Sequence, residues 1–418
     1  MSAKMKEKRE LPAMGLGECL IGDEEEALLL EVIRSKSLFR YYSRLRPADN
    51  PPPMATTLEK EASQLFDIPF VHGVTSGTAA LETALGALGI GPGDEVILPV
   101  WSWISCFTSV VRVGARPVLA EVDASLMLEP REIGRLCGPK TKAVMVIHYQ
   151  GVGADMKAIN AEARKHGLKV LEDCAESFGA SYGGKRLGSW GDIAIFSFQN
   201  QKVVTAGEGG LVATADPNLY ERAVRMSDLG QYRAYHENVK ASTEEAFAGA
   251  NYRMSEMTAA VALAQLRKVD GMIRHLRELR DRLMARIGNL PGLRFRRIPD
   301  DGGDIGFETY LYFSAPEKAR RFSEVLLEHG VGCSKHTGTY CQYARNYCLN
   351  GMAHSPGASP FSGMVPWPAE GYREEDFPKT NKIVQSMVAL PIGALFEAAD
   401  IDYLADAVEC AAMAVSED

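Results

Sequence analysis

Long apolar runs are missing from this chain. The longest, such as "AVMVI" at 143–147, has the length of a strand, whereas a bilayer span takes about 20 residues. The opening stretch "MSAKMKEKRELPAMG" is charged and lacks the apolar core of a secretion signal, so a cytoplasmic protein with no membrane partner is expected. Basic charge is scarce: 46 Lys and Arg face 54 Asp and Glu, a net charge of −8, which argues against a nucleic-acid partner. Eight cysteines occur without one Cys-x-x-Cys pair, so in a chain of 418 residues reduced thiols are expected. Cys333, His336, Cys341, Cys348 and His354 are of zinc-ligand type, but their spacings match no compact finger or ribbon, and no metal is expected. The G-x-x-x-x-G-K-[ST] phosphate loop is absent. "GLGECLIG" at 15–22 fails the G-x-G-x-x-G pattern and follows no strand. No internal repeat interrupts the chain.

What is present suits a soluble globular protein with a large core: 46% hydrophobic and 24% charged residues. Residues 68–215 alternate between helix-like and strand-like segments. "GTAALETALGAL", "WISCFTSVVRVG", "EPREIGRLC" and "MKAINAEARKHG" read as helices. "EVILPV", "RPVLAEVD", "KAVMVIHY", "KVLED", "DIAIFSF" and "GGLVATAD" read as strands. Short, continuously apolar strands alternating with helices predict an α/β fold with a mostly parallel central sheet flanked by helices. Residues 254–287 read as one or two long helices. Beyond them "ETYLYFSA" is strand-like, with helices near 316–330 and 397–415. Two domains are expected: a large α/β domain over 15–270 and a smaller C-terminal α+β domain over 271–418. The proline-rich stretches 46–57 and 355–371 read as extended connections.

In an open parallel sheet, ligands bind at the carboxyl ends of the strands. Five stretches with distinctive chemistry fall at such ends or beside the long helix. In "TSGTAAL" (75–81), Ser76, Gly77 and Thr78 open a helix, which makes either a phosphate cradle or a plain N-cap. In "PVWSWIS" (99–105), Trp103 suits stacking on a flat ring or ordinary packing. In "VLEDCAESFGA" (170–180), two adjacent carboxylates close a strand and must point to opposite sides. One of them can face the crevice and hold a heteroaromatic N–H⁺, or cap a helix. In "FSFQNQKVVTAGEGG" (196–210), Ser197 precedes the lone Lys202, an amine able to form a Schiff base or an ordinary surface charge. In "GANYRMSEMTAA" (249–260), Asn251 stands at the start of the long helix, where its amide can donate to a phosphate. Together these are the parts of a pyridoxal phosphate enzyme, in a workable order.

At these residues the chain resembles the DegT-type sugar aminotransferases, a branch of the fold type I pyridoxal phosphate enzymes. "SGTAAL", "GPGDEVILP", "EDCAESFGA", "FSFQNQK" with "TAGEGG", and "NYRMSEMTAA" match the family motifs in order and spacing. The resemblance runs from about residue 15 to the C-terminus. It implies pyridoxal 5'-phosphate as cofactor, Lys202 as its Schiff-base partner, Asp173 on the pyridine nitrogen and Trp103 on the ring. Gly77, Thr78 and Ser197, with Ser76, correspond to phosphate-binding positions. Asn251 corresponds to a residue that reaches the phosphate in the partner subunit, so a homodimer with shared active sites is implied. The implied reaction is a ping-pong transfer of an amino group from glutamate or glutamine to a keto or aldehyde sugar, nucleotide-linked or not, or to a keto-cyclitol.

Two positions depart from the common pattern. Glu176 stands where many members place a glutamine against the cofactor hydroxyl, and Gln199 where many have histidine; glutamine occurs there in the cyclitol and aminohydroxybenzoate branches. "SLFRYY" (37–42), residues 251–270 and "RIPDDGGDIGF" (297–307) are similar to the branch that aminates an eight-carbon keto-acid sugar. Arg40, Tyr41 and the 335–371 region are expected to line the acceptor pocket, Arg40 pairing with a substrate anion or standing at the surface. The rivals are a sugar dehydratase or an aminohydroxybenzoate-type synthase on the same fold, and a non-catalytic cofactor-binding regulator. The dehydratase branch replaces the lysine by histidine, and a regulator need not keep lysine, acid and cradle together.

Overall fold

The computed structural model describes residues 9–41, 52–233, 246–300, 302–335 and 371–416. In chain order, helices α1 (Asp23–Ser35) and α2 (Met54–Phe66) precede strand β1 (Phe70–Val74) and helix α3 (Gly77–Ala87). Then come β2 (Glu95–Pro99), α4 (Ile104–Arg112), β3 (Arg116–Ala120), α5 (Pro130–Leu136) and β4 (Thr141–Ile147). Next are α6 (Met156–Lys165), β5 (Lys169–Asp173), the small hairpin β6 (Ser181–Tyr182) and β7 (Lys185–Arg186), and β8 (Ile193–Ser197). The segment closes with β9 (Gly210–Thr214) and α7 (Pro217–Ser227).

Seven of these strands form one sheet in the order β1-β9-β8-β5-β4-β2-β3. Strand β9 runs antiparallel to both neighbours, and the other adjacent pairs are parallel. The reversal of "GGLVATAD" follows from its connection: the link from β8 carries no helix, and a parallel return would need a crossover. Strands β2, β8 and β9 are buried at every position, as continuous apolar strands in a sheet covered on both faces must be. Helix α3 is buried on nearly all sides, in keeping with its alanine- and leucine-rich sequence.

Helix α2 begins inside the stretch expected to be extended. Pro53 precedes it, and the buried Glu256 carboxylate accepts the N–H groups of Met54 (2.7 Å) and Ala55 (3.2 Å). These are two of the donors that a helix start leaves without partners. Residues 46–51 of that stretch lie outside the described residues.

Helix α8 (Glu256–Ile287) is a single helix, N-capped by Ser255, whose Oγ accepts the Thr258 N–H at 3.1 Å. It passes unbroken through residue 270, the expected domain boundary. Beyond it a four-stranded antiparallel sheet has the order β10-β11-β13-β12. Its strands are β10 (Arg294–Phe295), β11 (Glu308–Tyr312), β12 (Ser334–Lys335) and β13 (Met387–Pro391). Helix α9 (Pro316–Glu328) and the helix Ala398–Ser416 pack with it, and one hydrophobic core runs from Phe66 and Val170 to Leu311, Val388 and Leu404.

The two carboxylates that close β5 go to opposite faces. Glu172 is fully buried and accepts from His148 Nε2 (3.0 Å) and from the N–H groups of Gly188 (2.9 Å), Trp190 (2.7 Å) and Gly191 (2.6 Å). His148 Nδ1 accepts the Ala154 N–H at 3.1 Å, which fixes the proton on Nε2. Three of these hydrogen bonds brace the sheet to the turn at 188–191 and the fourth to His148, leaving Asp173 for the other face.

Candidate active site

Strands β1, β2, β4, β5 and β8 end at one edge of the sheet, and there a cleft of about 550 Å³ opens. That is within the range of roughly 300–1,000 Å³ for small-molecule sites. Ser76, Gly77 and Thr78 line it after β1, and Trp103 after β2. Asp173 and Glu176 line it at the end of β5, Ser197, Gln199 and Lys202 after β8. The small sheet closes the cleft with Phe307, Glu308 and Tyr310. Four distant stretches singled out in the sequence thus meet in one place.

Ser76 is the N-cap of α3: its Oγ accepts the Ala79 N–H at 3.0 Å and its carbonyl the Ala80 N–H at 2.9 Å. The N–H groups of Gly77 and Thr78 have no acceptor within the helix, and the positive end of its dipole adds to them. A Cβ on Gly77 would lie 2.8 Å from both Cβ and Oγ of Ser197, so only glycine brings these two segments together. A Cβ on Gly210 would meet the Ser76 carbonyl oxygen at 2.7 Å. The last glycine of "GEGG" therefore lets β9 pass against the same helix start. For Gly77→Ala, overpacking of about 1–3 kcal/mol predicts cofactor binding weakened roughly five- to hundredfold. Fluorescence titration of the apoprotein with pyridoxal phosphate measures this.

Asp173 is buried, with Oδ1 accepting the Ala175 N–H at 2.9 Å. Oδ2 accepts the Cys106 thiol at 3.2 Å, and the Ser102 hydroxyl lies 3.2 Å from that sulfur. Burial raises the Asp173 pKa, and among the described residues it forms no ion pair. Burial also pushes the Cys106 thiol well above its ordinary range, so it stays protonated and donates. Lys202 Nζ lies 3.6 Å from Glu176 Oε1, with its side chain 20% exposed. Glu176 Oε2 accepts the Gln150 N–H at 3.4 Å. Trp103 is the residue before α4 and is 59% exposed.

Arg40 and Tyr41, expected in the acceptor pocket, are not among the residues lining this chain's cleft. Arg40 is buried, donates to the Gly73 carbonyl at 2.9 Å and pairs with Glu59 at 2.5 Å. Its charge is neutralised inside the protein, and Tyr41 is buried with its ring under the same guanidinium. Asn251 is exposed, bridges to Asp228 and is not among the residues lining this chain's cleft. Of the 335–371 region, residues 336–370 lie outside the described residues, as do His336, Cys341, Cys348 and His354. Sequence reasoning missed Ser102, Cys106, Tyr149, Glu308 and Tyr310. Ser102 and Cys106 stand at helical spacing beside Trp103, a signal that was available; Glu308 and Tyr310 belong to no motif and reach the cleft only through the small sheet.

Over residues 49–409 the sequence matches the DegT/DnrJ/EryC1/StrS aminotransferase family. The chain belongs to that family. It is 34% identical over 237 residues to a GDP-perosamine synthase of Vibrio cholerae, covering 56% of this chain and 62% of that protein. It is 30% identical over 401 residues to the spore coat polysaccharide biosynthesis protein SpsC of Bacillus subtilis strain 168, covering 93% and 94%. The solved structure of 3-amino-5-hydroxybenzoic acid synthase superposes with a TM-score of 0.77 at 26% identity, covering 99% of this chain and 100% of that one. The chain is thus an aminotransferase of fold type I, and its cofactor is pyridoxal 5'-phosphate.

The cleft fits that cofactor. A helix start with free N–H groups and the Ser197 hydroxyl suits a phosphate. The buried Asp173, with no ion pair among the described residues, suits a pyridinium N–H⁺, and Lys202 is the one lysine lining the cleft among them.

Proposed function

We propose that this aminotransferase moves an amino group from glutamate or glutamine to the carbonyl of a keto or aldehyde sugar, by a ping-pong mechanism. The observation that carries the reading is the meeting of Lys202, Asp173 and the α3 start in one cleft. When bound, pyridoxal phosphate supplies the electron sink that makes a substrate Cα proton removable. The residues do the rest. Gly77, Thr78 and Ser197, with the Ser76-capped helix, hold the phosphate. Asp173 holds the ring-nitrogen proton, and Trp103 covers the ring. Lys202 would carry the cofactor between turnovers and move the proton at the substrate Cα, with the Glu176 carboxylate 3.6 Å from its Nζ.

Among acceptors, a nucleotide-linked sugar is favoured by the relationship to a GDP-perosamine synthase. A keto-acid sugar is disfavoured because Arg40 does not face the cleft. We place the enzyme in the cytoplasm as a homodimer, with Asn251 reaching the partner's cofactor. Exposed Leu38, Phe39, Leu229 and Met257 support this, since they lie on segments bonded to the Asn251 region through Leu38–Glu256 and Leu229–Ala250 backbone contacts. Among the described residues Cys19, Cys106, Cys137 and Cys174 are free thiols, and no helix is long and apolar enough to cross a membrane. We assign the large domain to the seven-stranded sheet and the small one to the four-stranded sheet, with α8 linking them.

The test is a pair of half-reactions. Glutamate or glutamine should discharge the visible band of the bound cofactor, and a keto sugar should restore it. Discharge without restoration by any sugar or cyclitol would overturn the sugar reading. A band that no amino donor discharges would favour the regulator, and loss of a sugar hydroxyl without amino transfer the dehydratase.

A further inference from the structure

Glu308 has no part in the roles above, yet it lines the same cleft as Lys202 and Glu176. It opens β11, and its Oε2 accepts the Tyr310 hydroxyl at 2.9 Å. The Tyr310 and Tyr149 hydroxyls lie 3.5 Å apart. A hydroxyl has one proton to give, so when Tyr310 donates to Glu308, Tyr149 donates to Tyr310. The chain of donors runs towards the carboxylate. It is held from below by buried Arg296, whose guanidinium carbon sits 5.6 and 5.4 Å from the Tyr149 and Tyr310 ring centroids. Arg296 also donates to the carbonyls of Ser125 and Tyr149, both at 2.7 Å. Glu308 Oε1 has no hydrogen-bond partner among the described residues, and the side chain is only part-buried. The arrangement is a fixed carboxyl group with one oxygen held by protein and the other available in the cleft.

We propose that Glu308 is a specificity-determining residue that accepts a hydrogen bond from a hydroxyl of the sugar. The inference rests on the sugar aminotransferase reading and names the group that tells sugar from amino acid. Glutamate carries no hydroxyl, and its carboxylates are repelled by an ionised Glu308. A polyol gains a charge-assisted hydrogen bond there, the stronger kind.

The groups around Glu308 set its pH response. They are Tyr310 on its own strand, Arg296 after β10, Tyr149 after β4, Glu176 after β5 and Lys202 on the cleft wall. Burial lifts the Glu308 pKa to about 7; Glu176 adds to the rise, while the Tyr310 hydrogen bond and Arg296 oppose it. The accepting carboxylate form therefore gains population as pH rises through about 7.

The reverse half-reaction tests this with the holoenzyme. Glutamate and a panel of nucleotide-linked amino sugars headed by GDP-perosamine are each titrated while the visible band of the bound cofactor is followed. For Glu308→Gln, the loss of a hydrogen bond to a charged group predicts about tenfold or more weaker half-saturation by the amino sugar. Glutamate should not weaken, and with the like charge removed its half-saturation should stay the same or tighten. Tyr310→Phe should move the amino sugar in the same direction by less. In wild type the amino-sugar affinity should improve through about pH 7, and Glu308→Gln should abolish that limb. Equal losses for both substrates, or none, would overturn the inference while leaving the parent reading intact. A wild-type enzyme discharged by glutamate but by no amino sugar would overturn the sugar reading, and this inference with it.

Discussion

Lys202→Ala is expected to lower amino transfer by ~10²–10⁴-fold, the loss of a positioned proton carrier at the reacting carbon. The same change should remove the visible band that the bound cofactor shows in the wild type. Lys202 is the one lysine lining the cleft among the described residues. Its backbone is fixed by the Lys202 N–H to Gln199 carbonyl bond (2.9 Å) and the Gly17 N–H to Lys202 carbonyl bond (3.3 Å). No neighbouring amine stands ready to replace it there. Since the side chain is 20% exposed and among the described residues its ion-pair partner is Glu176 at 3.6 Å, truncation should leave the fold intact. A melting temperature close to wild type, with activity lost, separates catalysis from stability. Retained band and activity would remove Lys202 from the mechanism.

Asp173→Asn has the second largest expected effect, and it should act in opposite directions on two measurements. Breaking a buried ion pair by neutralising one partner costs about 3–5 kcal/mol, or roughly two to four decades in rate or cofactor affinity. Asparagine leaves the ring proton without its counter-charge. In the apoprotein the sign reverses. Burial raises the Asp173 pKa in the folded state. A carboxyl with a raised folded pKa favours folding while protonated, and that advantage is lost as pH rises from the ordinary carboxylate value through the raised one. Above the raised value the apoprotein holds a buried carboxylate with no ion pair among the described residues, and there Asp173→Asn should raise the melting temperature while weakening cofactor binding. Calorimetry of apo and loaded forms reads both; a fall in both would make Asp173 a structural residue.

Much of this was legible in the sequence because the site sits where local signals are strong. Each parallel strand ends in a short polar stretch, and the alternation of elements alone places those ends together. Adjacent Glu172 and Asp173 were separable by the two-residue period of a strand, and they do divide into a sheet brace and a cleft acid. The reversed β9 was hidden because a fully buried strand reads the same in either direction; only the helix-free link from β8 betrays it. The first turn of α2 was hidden under prolines that precede a helix as readily as they extend a chain. The pairing of Arg40 was hidden because a sequence shows a charge but not its partner, here Glu59, which also accepts the Gly73 N–H at 2.6 Å. Glu308 and Tyr310 were invisible because their meaning depends on the small sheet meeting the large one.

The central claim is that this cleft holds pyridoxal phosphate and passes an amino group through it. The direct test mixes stoichiometric purified enzyme, loaded with pyridoxal phosphate, with glutamate carrying an isotopically labelled amino nitrogen, followed by mass spectrometry of the released cofactor. Labelled pyridoxamine phosphate, formed in wild type and absent with Lys202→Ala, is the predicted result. Cofactor recovered unchanged as pyridoxal phosphate, with glutamate and with glutamine alike, would contradict the account.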